Sequence, residues 1–320
     1  MTKDNHSTFI EYAFNSIEDW LTWSFLNRSD NGEYTPVYHY CSLGVMKSIL
    51  QDEKLRFTDI RYLNDFREYT YVQDVYRQVC LDKKNQLDST FFEMIYNDEI
   101  FSKLDGYQKD YMISSNDGTL RKFQEEPCRA FVCCFSLEKD ELLMWNYYGS
   151  KNAGCNIEFS LMYPSSSLVK ETIELKRSQV LYGEESYHAV KEIIDQAHII
   201  WKSAKNNDFL TKFIIMQLNA LRLFLKNEAF KNEREYRIVL LVPESKMGKL
   251  DLDFFERGNI LIPHLDITLK DLNAEIKGIN LGPYAGNELN KWSVNDLAKQ
   301  NGLKEIPIDL SDVPMRNYLG

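Results

Sequence analysis

Two carboxylates stand two positions apart at the head of an apolar run in Lys231-Asn232-Glu233-Arg234-Glu235-Tyr236-Arg237, which continues through Ile238 to Val242. In an extended strand, residues i and i+2 share a side. Glu233 and Glu235 are therefore expected to project together at the mouth of a buried sheet, with Arg237 next on the same face as an ion-pair partner or phosphate ligand. Fixed carboxylates in such a place can oppose positive charge that develops on a reacting carbon. The competing explanation is a Glu-rich surface turn, since acidic side chains mostly stay in solvent.

Other residues could share that chemistry, each with a structural alternative. His39 lies in an apolar strand, as a core histidine or as a hydrogen-bond donor to a ligand. Ser136 ends a strand, where it caps Glu138-Lys139-Asp140 or meets a ligand. Asn64 and Asp65 form turn chemistry, with Asn64 also a candidate site residue. Trp145, Tyr147 and Tyr148 share a short helix as core or as a stacking platform.

The elements that must position these residues follow from periodicity. Pro36 opens a strand at Val37 to Ser42, and Leu43, Met46, Ile49 and Leu50 then fall at helical spacing before a second strand at Leu55 to Thr58. Helical patterns fill 68–125 and 186–230, the second with an apolar face at Ile193, Ile194, Ala197, Trp201, Phe213, Ile214, Leu218, Leu221 and Phe224. Strands are expected at Arg129 to Ser136, Cys155 to Phe159, Ser178 to Tyr182, Glu233 to Val242, Asn259 to Ile262 and Ile276 to Leu281. A helix is expected at Val294 to Gln300, and the aromatic-rich start predicts a helical extension over 1–35. The pattern predicts one α+β domain over 1–320 with two helical insertions at 68–125 and 186–230.

Composition narrows the function classes. With 44% hydrophobic and 13% aromatic residues, the 320-residue chain can build a sizeable core. A net charge of −10 opposes non-specific attraction to a phosphate backbone. No apolar run reaches the ~18 residues of a membrane span, and the first 15 residues lack the pattern of a secretory signal, so the expectation is a soluble cytoplasmic protein. The six cysteines show no C-x-x-C pair, which argues against a zinc site or disulfide scaffold.

The order of these pieces resembles a bacterial family catalogued as a domain of unknown function, number 2971. The likeness runs through Tyr38-His39-Tyr40, Leu63-Asn64-Asp65, Cys134-Phe135-Ser136, Met144-Trp145, Tyr148-Gly149 and Gly154 to Phe159. It continues through Phe230 to Arg237, Gly278 to Pro283 and Ser311 to Arg316. The resemblance implies phage-defence or toxin-like loci and, with them, an antitoxin or defence-system partner.

A more distant resemblance is to ADP-ribosyltransferases. His39-Tyr40-Cys41-Ser42 is similar to their opening His-x-x-Ser strand, Leu43 to Thr58 to the helix and strand that follow, and Glu233-Arg234-Glu235 to their Glu-x-Glu element. This likeness implies a split, mixed or antiparallel sheet and NAD as substrate. It implies Glu235 as the catalytic carboxylate that stabilises an oxocarbenium-like ribose, and Glu233 as the group that receives or orients the acceptor. His39, Ser42, Asn64, Ser136 and Arg237 would bind NAD, with Tyr71 or Trp145 stacking on nicotinamide. The chain departs from the His-Tyr-Glu type in lacking regularly spaced tyrosines between Leu55 and Tyr71, and from the Glu-x-Glu type in carrying His39 where Arg is usual.

Three readings stay open on these grounds. One is an ADP-ribosyltransferase effector or toxin acting on a protein, nucleic acid or water. Another is a non-catalytic sensor or antitoxin-like module. The third is a metal-dependent nuclease built from Asp65, Glu158, Glu233 and Glu235. The long helical region suits core, a homo-oligomer surface or a partner-binding element equally.

Overall fold

The computed structural model describes residues 36–64, 68–104, 108–113, 122–162, 174–204, 207–303 and 305–315. The extension expected over 1–35, and Asp65, lie outside the described residues. The strands are β1 (Val37–Cys41), β2 (Lys54–Asp59), β3 (Gln108–Ile113), β4 (Lys122–Ser136), β5 (Cys155–Leu161), β6 (Glu174–Gln179) and β7 (Leu181–Tyr182). They continue as β8 (Leu225–Lys226), β9 (Glu235–Pro243), β10 (Asp253–Arg257), β11 (Ile260–Thr268), β12 (Ala274–Leu281) and β13 (Ile308–Leu310). The helices are α1 (Leu43–Asp52), α2 (Glu68–Lys83), α3 (Ser89–Ile95), α4 (Asp98–Lys103), α5 (Leu142–Tyr147), α6 (Gly183–Ala204), α7 (Asn207–Leu221), α8 (Leu269–Leu272) and α9 (Glu288–Gln300). The class is α+β, with helices gathered around an open mixed sheet.

The sheet runs β10-β11-β2-β4-β1-β5-β12-β13, with β9 along β4 and β6 beyond β9. β1 and β2 are both antiparallel to β4, so they run parallel to each other on one of its edges, joined by α1. β1 reaches β4 only at Tyr38↔Ser136, and β2 only at Thr58↔Val132 and Asp59↔Phe131. Between those contacts the sheet is split, while the opposite edge of β4 pairs continuously with β9 from Cys128↔Pro243 to Ser136↔Glu235.

α1 shows why the sequence folds locally this way. Ser42 caps it by accepting the Val45 N–H at 3.2 Å. Met46, Ile49 and Leu50 are buried on one stripe, and left-handed Glu53 (φ 51°) stops the helix and turns the chain into β2.

β9 is buried at every position because both faces of the sheet are covered. Tyr236, Ile238, Leu240 and Val242 join a core with Phe131, Cys133 and Phe135. Val239 and Leu241 face the other way, against Ala130, Val132, Leu223 and Phe224. Beyond that face lies a second core in which Val72, Tyr76, Phe91 and Ile95 of the first insertion pack against Ile193, Ile194, Phe213, Ile214 and Leu218 of the second. The two insertions thus form one helical layer, with the apolar face of the long helices in its core.

The insertions are shorter than the periodicity suggests. The first ends in a hairpin, β3 pairing with the start of β4 from Gln108↔Pro127 to Ile113↔Lys122, where sheet pairing overrides local helical preference. The second leaves the α-helix at Leu221 for a 3₁₀ turn, β8 and another 3₁₀ turn over Glu228–Glu233. A two-residue strand is too short to carry a period-two signal. The same brevity hides the short elements β10, α8 and β13.

Glycine fixes the junction at β5. A Cβ on Gly154 would lie 2.2 Å from the Cys41 carbonyl oxygen and 2.8 Å from that of Gly149, both backbone atoms that cannot rotate away. Gly154→Ala is expected to lose stability at or above the ~3 kcal/mol upper end of ordinary overpacking. A urea midpoint equal to wild type would sink that expectation.

Candidate active site

A cleft of about 240 Å³ opens at the split between β1 and β2. Its lining includes His39, Asn64, Ser136, Glu233, Glu235 and Arg237, together with Arg56, Tyr148, Lys226 and Arg257. Ser42, Tyr71 and Trp145 do not line it. Ser42 is the α1 cap, and Tyr71 packs on the helical layer. Trp145 is fully buried, its Nε1 donating to Asp140 at 2.6 Å and its ring meeting Tyr40 edge-on at 4.6 Å. Their aromatic or hydroxyl character is absorbed by capping and packing.

The glutamates converge, but not by strand alternation. Glu233 ends the 3₁₀ turn, Arg234 takes a left-handed conformation (φ 41°), and only Glu235 belongs to β9. What joins them is Lys226, whose Nζ lies 2.5 Å from Glu233 Oε2 and 3.0 Å from Glu235 Oε2. The parallel pair β7–β8 sets Lys226 beside Tyr182, whose hydroxyl accepts the Glu235 N–H at 3.0 Å. Ser136 fixes the other side, donating to the Glu233 carbonyl at 2.8 Å and accepting the Glu138 N–H at 3.0 Å. Its role is the cap.

Arg237 is fully buried and turned inward. Its Nε and Nη2 donate to Glu235 Oε1 and Oε2 at 2.6 and 2.8 Å, and Nη1 donates to the Leu223 carbonyl at 2.9 Å. Of the two roles the sequence leaves to it, Arg237 takes the ion pair, with each of its three guanidinium nitrogens already donating to a protein acceptor.

The two carboxylates are not equivalent. A carboxylate offers about four acceptor sites. Glu235, 5% exposed at its side chain, receives two bonds from Arg237 and one from Lys226. Glu233, 15% exposed, receives Lys226 and the Tyr148 hydroxyl at 2.9 Å, which leaves acceptor capacity facing the cleft. Asn64 reaches Tyr148 from the opposite wall at 3.4 Å.

His39 Nδ1 lies 3.0 Å from the Cys134 carbonyl, in the stretch of β4 that the split leaves unpaired. Burial holds its pKa below the usual histidine value, so the ring is neutral at pH 7. A neutral ring donating from Nδ1 keeps Nε2 as an acceptor, the reverse of the donor expected from sequence. Burial also pushes the Cys133 and Cys134 thiols up, so neither is a thiolate nucleophile.

Burial alone would raise the Glu235 pKa, but the Arg237 and Lys226 charges outweigh it and hold the carboxyl well below the carboxylate range. Buried Asp59 is likewise lowered by Arg61 and Arg129 against the opposing effect of burial. A lowered native pKa stabilises the fold above the unfolded value of about 4, and that stability drains away as pH falls further. The urea midpoint is therefore expected to be flat above about pH 5 and to fall steeply below about pH 4. Asp59→Asn should reduce that acid slope, and equal midpoints at neutral and strongly acidic pH would contradict the assignment.

Of the carboxylates invoked for a nuclease, Asp65 lies outside the described residues, and Glu233 and Glu235 share Lys226. Glu158 sits on β5 near Gly278, outside the cleft lining, and no group of three or more His, Cys, Asp or Glu among the described residues is placed to hold a metal ion. No described helix is long and apolar enough to cross a membrane.

Residues 144–238 match the sequence model of a family described as a protein of unknown function, DUF2971. The match spans α5 to the fourth residue of β9 and so contains Tyr148, Lys226, Glu233, Glu235 and Arg237. No curated protein and no solved structure matches the chain. Lys226 and Tyr182 are the site residues that sequence reasoning missed, while Tyr148, read there as core or a stacking platform, donates its hydroxyl to Glu233. Lys226 carried one available signal, a lysine seven residues before a glutamate pair that burial would leave uncompensated.

Proposed function

We propose that the protein is an NAD-dependent ADP-ribosyltransferase in which Glu233 is the ligand-facing carboxylate and Glu235 a positioning residue. The observation that carries this reading is the partly open Glu233, oriented by Lys226 and Tyr148 in a cleft that His39 also lines. In such a reaction the ribose C1′–N bond breaks and its electron pair leaves on neutral nicotinamide. The acceptor's nucleophile bonds to C1′ and loses its proton to water. A carboxylate that holds a ribose hydroxyl stabilises the positive sugar more than the ground state. Glu235 acts one step removed, holding Lys226 and Arg237 so that Glu233 stays charged and fixed. A role as effector or toxin in anti-phage defence rests on the family resemblance alone.

A second reading has its own supporting observation. Glu233, Glu235, Lys226 and Arg237 already form a charge-balanced buried network, as a non-catalytic nucleotide-binding module would need. The two readings separate when labelled NAD and a cell extract are incubated with wild-type and Glu233→Gln protein. Nicotinamide release and label transfer that vanish in the variant support the transferase. NAD binding without release, unchanged in the variant, supports the binding module and ends the transferase reading.

A further inference from the structure

The inner end of the cleft is balanced in charge, but its mouth is not. Among the described residues, four cationic side chains line the cleft, Arg56, Lys226, Arg237 and Arg257, against the two carboxylates Glu233 and Glu235. Lys226 and Arg237 are spent on those carboxylates, which leaves the two arginines at the mouth. This local excess stands out in a chain of net charge −10.

Both arginines are held in place by neighbours that do not neutralise them. The Arg56 guanidinium stacks over the Phe255 ring at 4.7 Å, an arrangement that leaves the in-plane N–H donors at its edge. Its one ion pair is loose, 3.7 Å to Asp266 with both side chains more than a third exposed. Arg257 donates from Nη2 to the Tyr62 carbonyl at 2.9 Å and makes no ion pair with a carboxylate among the described residues. Arg56 belongs to β2 and Arg257 to β10, both on the sheet wing that ends in β10. Thr58 and Tyr62 add hydroxyls to the same lining.

We infer that Arg56 and Arg257 form a pyrophosphate-binding subsite at the cleft mouth, so that the ligand is a nucleoside diphosphate or its conjugate with the sugar end toward Glu233. Planar guanidinium groups donate paired hydrogen bonds that match phosphate oxygens. The subsite takes the phosphate role that Arg237, turned inward, cannot fill. The inference deepens the transferase reading by naming how the diphosphate of its substrate is held, but the anion site stands on its own charges and does not require the glycosidic bond to be cut.

The test is calorimetric titration of inorganic pyrophosphate and of ADP into wild type, Arg56→Ala, Arg257→Ala, the double variant and Glu233→Gln. Arg56 and Arg257 are solvent-exposed and Glu233 is partly exposed, so folded variants are expected and are checked by circular dichroism. Both probes should bind wild type and weaken at least about tenfold in each arginine variant, and pyrophosphate, which has no sugar to meet Glu233, should bind Glu233→Gln within about threefold of wild type. Absence of binding to wild type at millimolar probe, or equal binding by the double variant, overturns the subsite. Arginine-dependent pyrophosphate binding without nicotinamide release from NAD keeps the subsite and removes the transferase. Wild-type nicotinamide release by the double variant removes the subsite and keeps the transferase.

Discussion

Nicotinamide release by Glu233→Gln is expected to fall by about 10²–10³, the range seen when a group that stabilises transition-state charge is removed. Glutamine keeps the length of the side chain, one oxygen to accept from Lys226 and an amide N–H to donate to the Tyr148 hydroxyl, but not the charge that opposes a positive ribose. The fold should tolerate the change. Glu233 is partly exposed, and Lys226 keeps Glu235 as a partner at 3.0 Å, so the loss of stability should stay within the ~1–3 kcal/mol of one charge-assisted hydrogen bond. A folded Glu233→Gln protein that releases nicotinamide within about threefold of wild type would sink the assignment of Glu233.

Glu235→Gln is expected to act first on stability. It leaves Lys226 and Arg237, both buried, facing the single charge of Glu233. Removing one partner of a buried ion pair typically costs about 3–5 kcal/mol, a large share of the ~5–15 kcal/mol that holds a domain folded. Loss of activity in this variant alone is therefore weak evidence for catalysis. The informative protein is Glu235→Gln with Lys226→Met, which restores neutrality inside the network. Its urea midpoint should lie above that of Glu235→Gln, while nicotinamide release stays low because Glu233 has lost the cation that orients it. If the double variant is no more stable than Glu235→Gln, the charge-balance account of the network is wrong.

The sequence showed Glu235, the histidine strand and the Ser136 strand end because each sits in a run long enough to have a period, whereas Glu233 lies in the turn before β9 and meets Glu235 through Lys226. The nine residues of β9 are buried on both faces and read as one apolar strand. The apolar face of α6 and α7 was legible for the same reason, as was the β1-α1-β2 unit. Ser42, Tyr71 and Trp145 were chemically plausible as ligands, but capping and packing use the same hydroxyls and rings that a ligand would. Sequence cannot tell those uses apart until the neighbours are placed.

By itself, then, the sequence determined the elements and the residue types at their ends, since periodicity, capping and turn chemistry act over a few residues. Only the tertiary structure decided which side chains meet. Lys226 reaches the glutamates because a two-residue parallel pairing with Tyr182 brings the chain back under β9. Arg237 is lost to the ligand because burial leaves it no partner cheaper than Glu235 and a carbonyl. Arg56 and Arg257 gain a common cleft because β11 pairs with β10 on one side and β2 on the other, across some 200 residues of chain. Such meetings depend on the balance of desolvation against pairing between distant segments, which no local pattern encodes.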